Sequence, residues 1–300
     1  MESVKNIQKI DIHAHATAFP DFFPPLPSGE RFVSAEELIG FYDRLGIEKG
    51  VILPISSPEG QMTPMTTEAC KMLVDQHPER FILFCNVDPR AVYNTATSPL
   101  YNVLAFYKEL GAKGLGELTA NIYADDPRVD NLFACCAELD LPVTIHMNSQ
   151  FVSYGIVDEL GLPRLEKMLK KHPKLKIFGH SQYFWSEISA DNNEETRGLY
   201  PTGPVKDGRI AELMREYEGL YCDISAGSGA NALMRDPDYT ARFIEEFADR
   251  ILYGCDICGP SNTNSFELKD FLENMLENGM ISPENYRKVV RENAVRLLNL

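Results

Sequence analysis

The segment IQKIDIHAHATAFP (residues 7–20) begins as an alternating run of β-branched residues and ends on two histidines, where an open doubly wound sheet would carry a glycine-rich phosphate loop. A doubly wound sheet is therefore the runner-up for this chain. Seven further runs repeat the pattern of a short apolar strand: GVILPIS (50–56), FILFCNVD (81–88), AKGLGEL (112–118), PVTIH (142–146), KIFGH (176–180), LYCDIS (220–225) and ILYGCD (251–256). Stretches of helical periodicity separate them. Ser34 with Glu37 forms a capping-box pattern ahead of Leu38, Tyr42 and Leu45, and Gly46 supplies a stop. Asp130 similarly stands as a cap before Phe133, Cys136 and Leu139 at helical spacing, and Ser282-Pro283 places a cap and a first-turn proline before Tyr286, Val289 and Val290. Eight strands alternating with helices predict an α/β fold, a single-domain (β/α)8 TIM barrel over residues 1–300, with no linker or repeat to divide it.

Composition narrows the partners. Lys+Arg 29 against Asp+Glu 44 gives a net charge of −15, which repels phosphate backbones and anionic lipid surfaces. Nucleic acid and membrane are thus not expected as partners, and no run approaches the ~18 apolar residues of a membrane span. Seven scattered cysteines suit reduced thiols and a cytoplasmic location rather than a disulfide framework. The expected partner is a small-molecule substrate, and homo-oligomerisation stays open.

Six histidines carry the chemical signal. His13 and His15 end the first strand, and strand alternation places both on one face with Asp11, directed into the barrel, leaving Ile10 and Ile12 toward the helices. His146, His180 and Asp256 end the fifth, sixth and eighth runs, so all of them point to the C-terminal rim, where barrel active sites lie. His77 and His172 occur just before the following strands and belong at the opposite end. Imidazoles and carboxylates converging on one rim suit a divalent metal, with zinc leading and manganese, iron or cobalt as alternatives. Such an ion lowers the pKa of bound water to about 7, and a neighbouring imidazole or carboxylate, Asp256 included, then moves protons.

The ordered set IDIHAH, NVDP, GAKGLGEL, IHMN, GHS, YGCD and RENAVRLLNL spans nearly the whole chain and resembles the amidohydrolase superfamily. It is most similar to the amidohydrolase-related branch that includes aminocarboxymuconate semialdehyde decarboxylase. The resemblance implies that His13, His15, His146 and Asp256 bind the metal and that His180 acts as proton donor or base. Glu117, at the end of the fourth run, either bridges a second ion with His180 or hydrogen-bonds to a ligand, so one ion or two per chain are both open.

Two long connections, 16–34 and 182–203, follow strands and bring Phe19, Phe22, Phe23, Tyr183, Phe184 and Trp185 to the rim, either as pocket walls or as packing. Arg90 and Arg128 follow the third and fourth runs and are candidates for holding a substrate carboxylate, against a surface salt bridge as the alternative. Cys255 and Cys258 form a CxxC pair without the second pair that a structural zinc needs, and read as structural or pocket-lining; Cys135 and Cys136 read as core. Three functions compete: a metal-dependent hydrolase of a small, carboxylated substrate as the leading expectation, a non-oxidative decarboxylase of an aromatic or dienoic acid, and a non-catalytic ligand-binding barrel.

Overall fold

The structure is a computed structural model and describes residues 7–26, 28–60, 65–150 and 152–300. Strands β1 (Lys9–Ala14), β2 (Ile47–Ile52) and β3 (Phe81–Leu83) pair in parallel in that order. A second parallel series runs through β4 (Leu115–Leu118) and β5 (Val143–Asn148). The two-residue β6 (Ile156–Val157) pairs in parallel with the end of β5, off the main path. The series continues directly from β5 to β7 (Ile177–His180), β8 (Leu220–Asp223) and β9 (Ile251–Leu252). Two seams close the ring. Cys85 bridges to Leu115 between β3 and β4, and Ala14 bridges to Ile257 just beyond β9. All eight predicted strands are present, in a closed single-domain (β/α)8 barrel.

Helices α1 (Ala35–Leu45), α2 (Thr67–Gln76), α3 (Leu100–Glu109), α4 (Pro127–Glu138) and α5 (Pro163–Lys171) join the first strands. The short α6 (Gln182–Trp185) follows β7 and precedes α7 (Arg209–Glu216); α8 (Ala226–Met234) and α9 (Pro237–Phe247) follow β8. The chain ends in α10 (Asn264–Glu277), α11 (Pro283–Arg287) and α12 (Asn293–Leu298). Local chemistry explains the punctuation. Ser34 accepts the Glu37 amide while Glu37 reaches back to Ser34, Leu38, Tyr42 and Leu45 are buried on one face, and Gly46 stops α1 at φ 70°. Ser282 caps α11 ahead of Pro283, as its sequence predicts. For α4 the expectation is corrected: Asp126 is the cap, with Pro127 at the first helical position. Asp130 lies inside the helix and binds Lys171 and His172.

The barrel has two apolar layers, and they revise the expected parity of β1. Ile10 and Ile12 belong to the inner cluster with Val51, Leu53, Ile82, Phe84, Phe178, Tyr221 and Leu252, which Leu297 and Leu298 of α12 join. Asp11 points outward and accepts the hydroxyl of Tyr42 from α1 at 2.9 Å. A register irregularity between Asp11 and Ala14 then breaks the alternation. Asp11 braces this break, accepting the amides of His13 at 3.0 Å and Cys255 at 2.9 Å. The outward carboxylate thus satisfies backbone donors that the interrupted ladder leaves free.

Candidate metal centre

Both histidines of β1 have one ring nitrogen engaged from behind. His15 Nδ1 lies 3.0 Å from the Leu53 carbonyl, so it must carry the proton and donate. His13 Nδ1 lies 2.7 Å from Asp223 Oδ2 at the end of β8. The remaining Nε2 atoms face each other at 3.2 Å, an arrangement of two lone pairs that needs a proton or a cation between them. Asp223 also receives the Ser225 amide, and its own carbonyl accepts the Trp185 indole N–H at 2.9 Å. Gly254 permits this approach of β9 to β8, since a Cβ there would lie 2.8 Å from Asp223 Oδ1.

Around the paired Nε2 atoms stand Glu117 from β4, His180 from β7 and Asp256 beyond β9. Glu117 Oε2 is 3.4 Å from His15 Nε2 and 3.8 Å from His13 Nε2. Asp256 Oδ1 is 3.5 and 3.6 Å from the same two nitrogens. His180 Nε2 lies 3.8 Å from Glu117 Oε1 and 3.7 Å from Asp256 Oδ2, while its Nδ1 meets Ser225 Oγ at 3.1 Å. Donors each about 2.1 Å from one ion are separated by about 3 to 4 Å, so two overlapping sets, His13–Glu117–His180 and His13–His15–Asp256, have the right spacing. Three turns beyond the strands hold non-glycine residues at positive φ, Ser181 at 93°, Ala226 at 61° and Asp256 at 52°, a strained backbone of the kind that collects at functional sites.

The electrostatics favour a cation at this point. Among the described residues the ion-pair partners of Glu117, Asp223 and Asp256 are all histidines. Burial opposes a charge on His13, yet Asp256, Asp223 and Glu117 outweigh it and push its pKa up to about 10. Burial also opposes ionisation of Glu117, but His146, His15 and His13 hold it well below the usual carboxylate range. His180 goes the other way: burial, reinforced by the charge on His13, pushes it down to about 4 and leaves it neutral. Carboxylates plus outward-facing imidazole nitrogens, each with its far nitrogen anchored, form a donor set that fits a divalent ion.

The other predicted residues are more scattered. His146 pairs in register with His180, but its Nδ1 is 2.6 Å from Glu117 Oε1 and its ring packs 4.7 Å from Tyr154, so it meets the donor cluster through Glu117. Gly155 allows this packing, because a Cβ there would sit 2.8 Å from the His146 ring. Arg90 is fully engaged by Asp88 and Glu59, and Arg128 by Asp126 and Asn94, which is the salt-bridge alternative. Trp185 does not wall an open pocket: it is 2% exposed and acts on the site through the Asp223 carbonyl. Phe184 is also core, whereas Phe19 and Phe22 stay exposed on the rim. Within loop 16–34, Pro27 lies outside the described residues. His77 and His172 end α2 and α5 at the opposite face, and all seven cysteines are unpaired. Sequence reasoning missed Asp223, Ser225 and Tyr154. The signal for Asp223 was its place in LYCDIS, the same strand-end position that marks Asp256 in ILYGCD.

A closed parallel barrel with histidines and carboxylates gathered at the C-terminal mouth defines a barrel enzyme built for metal-assisted chemistry. The chain belongs to the Amidohydro_2 family of amidohydrolases, whose model matches residues 10–300. No curated protein matches the chain significantly. Among solved structures, 5-carboxyvanillate decarboxylase from Novosphingobium aromaticivorans, complexed with manganese and 4-hydroxy-3-methoxy-5-nitrobenzoic acid, is similar at TM-score 0.60 and 16% identity. It covers 99% of this chain and 97% of that one. A dihydroxybenzoic acid decarboxylase from a Polaromonas species, with manganese and 2-nitroresorcinol, is similar at TM-score 0.58 and 19% identity, covering 98% and 97%. A probable 2-pyrone-4,6-dicarboxylic acid hydrolase from Acinetobacter baumannii, with citric acid bound, is similar at TM-score 0.59 and 12% identity, covering 98% and 100%. These likenesses establish a shared fold.

Proposed function

We propose that this protein is a divalent-metal-dependent, non-oxidative decarboxylase of a small aromatic or dienoic carboxylic acid. The observation that carries the reading is the dryness of the donor cluster: the side chains of His13, His15, Glu117 and His180 are at most 5% exposed, and only Asp256 opens to the mouth, at 23%. Moving a carboxylate into such surroundings costs it hydration, whereas carbon dioxide leaves as a neutral molecule, so desolvation favours the cleavage. Support also comes from the named activities of two of the similar structures. This reading replaces the hydrolase as the leading one.

His13, His15, Glu117 and Asp256 are the residues that would hold the ion, with His180 beside them and His146 behind Glu117. The two carboxylates suit manganese and the imidazoles suit zinc. When bound, the ion supplies a Lewis acid that grips oxygen substituents of the substrate and accepts charge. The chain's own groups do the rest. Asp223 and Leu53 fix the ring orientations of His13 and His15. In the reaction the bond from ring or chain carbon to the carboxyl carbon breaks, its electron pair stays on the former, and a proton must reach that carbon. Asp256 at the mouth and His180, neutral and steadied by Ser225, are the groups placed to carry it.

One observation favours a second reading. Glu117 takes part in one donor set and stands 3.4 Å from His15 in the other, a position suited to two ions and to hydrolysis. A panel of hydroxylated aromatic and dienoic acids together with carboxylated lactones and amides, assayed in ¹⁸O-labelled water with manganese or zinc, separates the two. Decarboxylation releases carbon dioxide and leaves no label in the organic product; label in that product without carbon dioxide release overturns the proposal in favour of hydrolysis. The variant carrying both His13→Ala and His15→Ala should lose the metal and the activity together.

A further inference from the structure

Arg235, at the C-terminal end of α8, is an arginine left without a partner. Every other arginine among the described residues donates to or forms an ion pair with a carboxylate or donates to a carbonyl, down to Arg44 on Gly40, Arg242 on Asp238 and Arg250 on Tyr217. Among the described residues the Arg235 side chain has no hydrogen-bond or ion-pair partner, and its Nε is buried with no acceptor. The nearest acids are committed elsewhere. Asp236 accepts the amides of Tyr239 and Val205, and Asp191 accepts the Ser189 hydroxyl. Burial lowers the Arg235 pKa against the weaker pull of these two carboxylates. The buried Nε–H has lost hydration without replacement, which destabilises the fold unless something supplies an acceptor.

The side chain borders two spaces. One is a cleft of about 350 Å³ between α8, α10 and residues 202–203, lined also by Thr202, Asn231 and Asn264, with Glu267 at its exposed edge. The other is a niche of about 10 Å³, a single water's worth, lined by Gln182, Tyr200 and Ser228. Hydroxyl and amide groups thus line both spaces that the guanidinium borders, and its planar fork matches a two-oxygen acceptor. Gln182 and Tyr200, which line the niche, are joined at 2.8 Å.

We propose that Arg235 is the anchor of a second site, which binds the oxyanion of a small metabolite, a carboxylate or a phosphate, beside and distinct from the metal centre. The proposal does not depend on which reaction the metal centre performs.

The test uses the metal-loaded protein and two probes, inorganic phosphate and succinate, followed by titration calorimetry and thermal unfolding. Wild type should bind one or both saturably, the tighter probe identifying the source of the oxyanion, and Arg235→Gln should weaken that binding by at least about tenfold. Anions also reach metals, so the variant with His13→Ala and His15→Ala is titrated in parallel and should retain the binding. Binding that survives Arg235→Gln and vanishes in the histidine variant belongs to the metal centre and overturns the proposal; so does an absence of binding to both probes in wild type. Thermal unfolding in anion-free buffer gives an independent reading. An unpaired charge awaiting a ligand predicts that Arg235→Gln unfolds at the same or a higher temperature than wild type, whereas a lower one assigns the arginine a structural role and overturns the site.

Discussion

Asp223 sets the chemistry of two imidazoles at once. Its Oδ2 is 2.7 Å from His13 Nδ1 and 3.6 Å from His180 Nδ1, it is fully buried, and although burial opposes its charge, the charge and hydrogen bond of His13 hold its pKa below the ordinary carboxylate value. Such a carboxylate fixes the ring and raises its basicity toward a metal. Asp223→Asn preserves the shape and removes the charge, so the protein should stay folded while its metal affinity falls about 10–100-fold, measured by competition with a chelator of known affinity. Unchanged affinity would remove Asp223 from the metal-holding apparatus. His13 and His15 are legible in the chain because the two histidines stand two apart at the end of a strand. Their backing is not: Asp223 is 210 residues from His13 and meets it only when β8 closes beside β9 and β1.

At the scale of the element, α1 links a local signal to the site. Its Ser34–Glu37 box is reinforced by Arg31, which grips Glu37 at 2.7 and 2.8 Å, and its buried face presents Tyr42 to Asp11 under the break in β1. Ser34→Ala should cost about 1 kcal/mol of stability, read from the urea midpoint, and should leave metal content unchanged because the cap is remote from the donors. Caps are readable because both partners lie within one turn. The misplaced cap of α4 shows the limit: Asp126 and Asp130 both precede apolar residues at helical spacing, and only Pro127 at the first position distinguishes them. The parity of β1 was legible only as an ideal strand, since nothing within residues 9–14 announces the irregularity that sends Ile10 and Ile12 inward.

At the scale of the whole molecule, a net charge of −15 and three carboxylates within one barrel mouth make the protein dependent on bound positive charge. Removing the ion leaves a proton on His13 as the compensation, held by the same carboxylates at a pKa of about 10. Chelation should therefore lower the unfolding temperature, and free manganese or zinc at 100 times its dissociation constant should restore about 2.7 kcal/mol. Differential scanning calorimetry with and without a chelator checks this. An unfolding temperature insensitive to both treatments would show that the cluster holds no ion. Among the described residues no helix is long and apolar enough to cross a membrane.

The sequence by itself determined the eight strands, the closed barrel, the rim that carries His13, His15, Glu117, His146, His180 and Asp256, and the starts of α1 and α11. Each of these follows from periodicity or from pairs of residues close in the chain. Only the tertiary structure decided which donors share an ion's reach. It drew His180 and Glu117 into the cluster, set His146 behind Glu117, committed Arg90 and Arg128 to neighbouring acids, sank Trp185 beneath Asp223 and left Arg235 alone between two spaces. The physical reason is that donor spacing depends on the closure of a ring of strands far apart in the chain, where a single irregularity redirects a side chain by a full face.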